Sequence, residues 1–178
     1  MSTSTTGDVR AAQRILADAF TRMDDLAEEL TASIDDVVAK YRPDPESNSI
    51  AWLVWHSARV MDDHVSELAG KPQLWDTWRE KFDLPFGPEA TGYGQRPADV
   101  RKVHPDLDKL YAYFHAVYER VIEYIESLTP EELDRVVDRR WDPPVTASSR
   151  LVSVLGDVTQ HLGQASYVKG LAERADAD

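Results

Sequence analysis

Four stretches of the chain place apolar residues three to four positions apart, the spacing that gathers them on one face of an α-helix. In the first, Val9, Ala12, Leu16, Ala19, Phe20, Met23, Leu26, Leu30, Ile34 and Val38 form a stripe that predicts one helix running through Lys40. "YRPDPE" stops it, because proline cannot donate to the helical ladder and biases its predecessor away from the α region. The second opens at "SNS", where Asn48 or Ser49 can cap, and runs "IAWLVWHSARVMDDHVSELAG" to Gly70, a residue suited to the left-handed step after a helix. The third begins in "HPDLDKL", with Pro105 suited to the first helical position. It continues to Leu128 on Leu107, Leu110, Phe114, Val117, Val121 and Ile125. Thr129 and Glu132 in "TPEEL" read as a capping box for one short extra turn or two. "RVVDRRWDPPV" reads as extended, and Thr146 caps a fourth long helix that ends near Ala172.

The links between these stretches carry the topology. About eight residues join the first two helices, so those two should run antiparallel. About 35 residues separate the second helix from the third, enough chain to return along a whole bundle and let those two run parallel. Within that link "PQLWDTWREKF" predicts a short helix and "GPEATGYGQRP" is irregular. The expected fold is all-α: one four-helix bundle with a long crossover between helices two and three. A single domain is expected over residues 1–178, with its ordered core at about 8–172.

Charge and composition remove several functions. The net charge of −12, with no basic stripe, argues against a nucleic-acid partner. "MSTSTTGD" lacks the positive and apolar regions of a signal peptide, and "IAWLVW", the longest apolar run, is far short of a membrane span. A cytoplasmic protein without a membrane partner is the expectation. The chain has no cysteine, which excludes a thiolate metal site and a cysteine nucleophile.

The five histidines are where the chemistry can lie. In the fourth helix, Asp157 and His161 are four residues apart on or beside the buried stripe of "LGDVTQHLGQASY", a spacing workable for two ligands on one ion but common by chance as a polar interruption in a packed helix. His56 follows "NSIAWLVW", a segment apolar enough to be buried on most sides, where an imidazole needs a hydrogen bond or a metal. Asp63 lies two turns on, near the same face, and can orient an imidazole, bind metal or sit in water. His64 is rotated about 80° from His56 and flanks such a site rather than sharing it. His115, beside the stripe of the third helix, is a candidate pocket residue, and His104 precedes a proline in a solvated loop. Trp75, Trp78, Phe82, Phe86 and Tyr93 load the crossover, most of them for core packing. Arg139, Arg140 and Trp141 before the fourth helix read as exposed salt-bridging surface.

"NSIAWLVWH", followed much later by "LVSVLGDVTQHLGQASYVKGL", resembles the DinB/YfiT-like superfamily of bacterial metalloenzymes, and most closely an actinobacterial branch. That resemblance covers essentially the whole chain. It implies a four-helix bundle with the long crossover and one divalent ion, bound by a histidine in helix two and a His-x-x-x-His-x-Gly-Gln run in helix four. His56 matches the first ligand, His161 the last histidine of the run, and Gly163 and Gln164 the Gly-Gln. Asp157 stands where the commoner pattern has histidine. The implied metal set is therefore His56, Asp157 and His161, with zinc the first expectation and nickel, iron or manganese the alternatives. Because Asp is shorter than His, the ion would lie nearer helix four, or Asp157 would reach it through water.

Relatives in that superfamily include thiol S-transferases that use mycothiol or bacillithiol. The resemblance implies a metal-dependent thiol S-transferase with a small-molecule substrate and a low-molecular-weight thiol such as mycothiol as co-substrate. A second expectation, from another class, is a non-catalytic metal-binding or homodimeric interaction module of the same fold.

Overall fold

The computed structural model describes residues 3–175, with side chains from residue 9 onward. Four long helices surround one core: α1 (Thr3–Ala32), α3 (Ile50–Ala69), α6 (Leu107–Glu126) and α8 (Ala147–Ala175). Shorter pieces join them: α2 (Asp36–Lys40), α4 (Trp75–Phe82), α5 (Pro97–Val100) and α7 (Pro130–Asp134), with β1 (Val136–Asp138) paired antiparallel to β2 (Val145–Thr146). The all-α expectation holds. None of the described helices is long and apolar enough to cross a membrane.

Side-chain partners fix the directions of the helices. Tyr113 of α6 meets Arg59 and Asp62 of α3, and further along Glu123 of α6 meets Lys71 just past the end of α3, so α3 and α6 run parallel. His56 faces Asp157 while His64 faces Arg150, so α3 and α8 are antiparallel. Gln13 bonds the Glu126 carbonyl and Thr21 bonds Tyr118, which makes α1 antiparallel to α6. The result is an up-down-down-up order, the one that a long second connection permits.

The boundaries follow local hydrogen-bonding chemistry. Ser49 accepts the Trp52 amide at the start of α3, and Gly70 closes it at φ +64°. The Thr129 hydroxyl accepts the Glu132 amide, but the Glu132 carboxylate turns to Arg135 and Tyr124, leaving the capping box half made. Thr146 accepts the Ser149 amide at the head of α8.

Three boundaries depart from expectation. The first helix does not continue to Lys40: Asp35 accepts the amides of Val37 and Val38 and starts α2 as a separate element. Asp106, not a position before Pro105, caps α6 by accepting the Lys109 amide. The extended stretch before α8 closes on itself as the β1–β2 hairpin.

The core runs along α3, which is buried on nearly every side between α6 and α8. Trp55, Leu53, Met61, Tyr113, Phe114, Ile125 and Leu151 are its large enclosed members. The crossover belongs to the same core, because Trp75 of α4 packs 6.0 Å from Trp55 and 5.3 Å from Tyr113, ring centre to ring centre. Of the five crossover aromatics only Tyr93 turns outward, with 93% of its surface exposed.

Candidate metal centre

The burial of α3 puts His56 at the seam with α8, where it is 5% exposed. Its ring stacks on Trp52 at 4.7 Å with the planes 18° apart, which fixes one face. Its Nδ1 donates to the Thr91 carbonyl at 2.6 Å, so Nε2 is left as a lone-pair donor. Across the seam, Nε2 lies 4.0 Å from Asp157 Oδ2.

Helical spacing places His161 one turn after Asp157, with its Nε2 3.6 Å from Asp157 Oδ1. The His161 Nδ1 bonds the Gln164 side-chain oxygen at 3.3 Å, so here too Nε2 is the nitrogen left for a ligand. The two imidazole centres are 4.8 Å apart. One atom from each of His56, Asp157 and His161 lies within 4.8 Å of the others, a cluster of the size that a metal ion spans. Ligands on one tetrahedral zinc sit about 3.4 Å apart, so a slight contraction would seat an ion.

The donor set passes a further test of fit. Asp157 Oδ2 is buried and has no hydrogen-bond partner. A desolvated carboxylate oxygen in that state is costly, and a cation relieves the cost. Burial pushes the His56 imidazole below its ordinary range, keeping it neutral as a ligand must be. The Thr91 hydrogen bond opposes that shift less strongly.

A segment of the crossover completes the site. Residues 90–95 lie across α3, with Arg59 donating to the Ala90 carbonyl, His56 to the Thr91 carbonyl and Trp52 to the Gln95 side chain. Gly92 sits at φ +101° directly over the imidazole, and a Cβ there would stand 2.8 Å from His56 Nδ1 and 3.1 Å from Trp52 and Trp55. Only glycine allows this approach. Beside the cluster a cavity of about 420 Å³ is lined by His56, Asp157, Asp63, His64, Thr91 and Tyr93, together with Val60, Ser153 and Val154.

The structure thus brings His56, Asp157 and His161 together, with His64 flanking them on the cavity wall. Asp63 lines the same wall and accepts from Gln73 at 2.7 Å. His115 does not join them. It faces α1, where Nδ1 bonds Asp24 at 2.8 Å. Its position beside the apolar stripe was read correctly, but periodicity does not say which helix lies opposite. His104 is exposed, and Arg140 spends its charge on Asp138 at 2.7 Å. Sequence reading missed the Thr91 carbonyl and Gly92. The glycine pair in "TGYGQ" was the available signal, since such residues mark close backbone approach.

Comparison with known proteins accords with this geometry. No curated protein matches the sequence. Among solved structures, a conserved protein from Enterococcus faecalis superposes with a TM-score of 0.82 and 32% identity, covering 88% of this chain and 94% of that one. The model of the DinB superfamily matches residues 19–165, a span that contains α3, the crossover and both residues of α8 in the cluster. The chain belongs to the DinB superfamily.

Proposed function

We propose that His56, Asp157 and His161 hold one divalent metal ion, zinc in the first instance, and that the protein uses it to transfer a low-molecular-weight thiol such as mycothiol to a small electrophile. The observation that carries this reading is the buried, unpartnered Asp157 oxygen facing two imidazoles whose Nδ1 atoms are both engaged. Three protein ligands beside an open cavity leave positions for exchangeable groups, the arrangement of catalytic rather than structural sites. When bound, such an ion supplies Lewis acidity, lowering the pKa of a thiol so that it is nucleophilic near neutrality.

The chain's own residues set the conditions for that chemistry. The Thr91 carbonyl and the Gln164 side chain hold the two Nδ1 protons and aim the Nε2 atoms inward. Trp52 and the strap at Gly92 exclude water from the His56 side. The Asp157 charge makes the site less electrophilic than three neutral imidazoles would. With no cysteine, the chain has no sulfur nucleophile of its own, so the thiol arrives as a co-substrate. A cavity of about 420 Å³ suits a small molecule.

The test is elemental analysis of protein purified without a chelating tag, repeated on His56→Ala and His161→Ala, followed by a conjugation screen of several thiols against several electrophiles. Stoichiometric metal in the wild type, lost in both variants, together with thiol conjugation, is the expected result. A wild type that neither carries nor takes up metal defeats the proposal. Bound metal with no conjugation for any thiol leaves the metal-binding module as the better reading.

A further inference from the structure

The cavity wall holds one more imidazole, and its proton pattern is set by a neighbour that can only donate. His64 lies two turns beyond His56 on α3 and lines the cavity with Asp63, Tyr93 and Ser153. Its Nδ1 stands 3.1 Å from a guanidinium nitrogen of Arg150 on α8. A guanidinium has donors and no acceptor, and it keeps its charge at any pH a folded protein meets. Nδ1 must therefore accept, and the ring proton sits on Nε2. The Asp63 carboxylate lies 3.7 Å from the same Nδ1, outside hydrogen-bond range, so it does not compete for that position.

Arg150 is itself held in place. Its side chain is largely buried and lies 3.7 Å from the Asp138 carboxylate, which Arg140 and the β1–β2 hairpin anchor. Burial first, and then the Arg150 charge, push His64 below the ordinary imidazole range, which agrees with a neutral ring. Among the described residues, His64 Nε2 has no hydrogen-bond partner and is not fully buried, and the residue itself lines the cavity. A neutral imidazole fixed as a donor serves to polarise an oxygen rather than to shuttle a proton.

We propose that the Nε2–H of His64 is a preset hydrogen-bond donor to the oxygen of the electrophilic substrate, and that Arg150 is the positioning residue that fixes the donor. This inference rests on the thiol-transfer reading above and narrows its substrate class. It selects electrophiles whose attack places negative charge on oxygen, α,β-unsaturated carbonyl compounds and epoxides, over alkyl halides. With an enone, the C–S bond forms at the β-carbon and the π pair moves to the carbonyl oxygen, where Nε2–H meets the charge. The proton given up by the thiol to solvent returns from solvent to the α-carbon, so a thiol and an enone yield one thioether. With an alkyl halide the charge leaves on the halide, and His64 has no oxygen to serve.

Two measurements test this. Long-range ¹⁵N–¹H spectra of the zinc-loaded protein at neutral pH should show His64 as the neutral Nε2–H form, and Arg150→Gln should mix the tautomers. Kinetics with one thiol against a simple enone and a benzyl halide should show the enone-to-halide ratio of kcat values falling about 10²-fold in His64→Phe. His64→Gln, which keeps an N–H donor, should recover part of that ratio, and stoichiometric zinc should persist in both variants. A charged or Nδ1–H ring at His64 overturns the inference, as does an unchanged ratio or loss of zinc. Those failures leave the transfer reading standing, whereas a wild type inert to both electrophiles with every thiol overturns both.

Discussion

His56 and Arg59 lie within one turn of each other on α3, and both reach into the crossover, to the Thr91 and Ala90 carbonyls respectively. From there their surroundings diverge. Arg59 is fully enclosed, and each of its nitrogens is used: on the Ala90 carbonyl, on Asp62 and Tyr113, and on Gln73, with Trp75 under the guanidinium at 5.0 Å. Asp62, equally enclosed, accepts from Ser66, from the Leu74 and Trp75 amides at the head of α4, and from Tyr113. The Tyr113 hydroxyl is driven well above its usual pKa by burial and then by the Asp62 charge, and so it stays a donor. Every side-chain nitrogen and oxygen of Arg59, Asp62 and Tyr113 has a partner. Across from His56, Asp157 keeps a buried oxygen without a partner, both imidazoles have only Nδ1 engaged, and His56 and Asp157 line a cavity. A closed polar network fastens the crossover to the bundle, and an incomplete one beside open space is where a ligand belongs.

The largest effect should come from opening the closed cluster. Asp62→Ala strands the Arg59 charge, the Tyr113 hydroxyl and two amides, and should cost about 3–5 kcal/mol in urea unfolding. A loss below about 1 kcal/mol would erase the contrast between the two clusters. Next comes the incomplete cluster, where stability and binding should part company. Asp157→Asn should weaken metal binding at least about tenfold in a competition titration with a chromogenic chelator. The metal-free Asp157→Asn protein should melt no lower than the wild type, since the substitution removes an uncompensated charge. A markedly less stable apo variant would put Asp157 in the structural class.

The strap gives a smaller test of both clusters at once. Gly92→Ala forces a Cβ against His56 at a positive φ and should cost roughly 1–3 kcal/mol while weakening metal binding. Gly163→Ala, in a helix with open space around it, should gain about 0.5–1 kcal/mol and spare the metal. The smallest effect concerns pH. His56 and His64 both sit below the ordinary imidazole range, burial being the main cause. Below about pH 6.5 the unfolded chain takes protons that the folded chain refuses, so metal-free stability falls as the pH drops through that window. Melting curves of the apoprotein from pH 7.5 to 5.5 should show the fall, and His64→Gln should flatten part of it. A level or rising Tm on acidification contradicts the assignment.

Much of this was legible in the chain. The apolar segment before His56, Ser49 and Gly70 at its ends, and the Asp157–His161 spacing all lie within single helices, where period and capping chemistry are local. The break at Asp35 was hidden because the apolar stripe continues past it, and a side-chain cap competes with periodicity without disturbing it. Asp106 displaced Pro105 for the same reason. The Arg59–Asp62–Tyr113 network left no local mark, since its partners come from α3, α6 and two parts of the crossover. The partner of His115 was likewise set by which helix packs opposite. Relations between elements, rather than within them, were what the sequence reading could not reach.

The order in which the site's parts arrive has a consequence for its assembly. No stretch of chain that stops short of α8 contains more than one of His56, Asp157 and His161, and the strap that aims His56 docks from between them. Where ligands crowd into one short loop, an ion can organise the fold around itself. Here the bundle must close before the three candidate ligands meet, so an ion held by them would reach a protein that is already folded. A chelator should therefore empty the site and leave the helices standing.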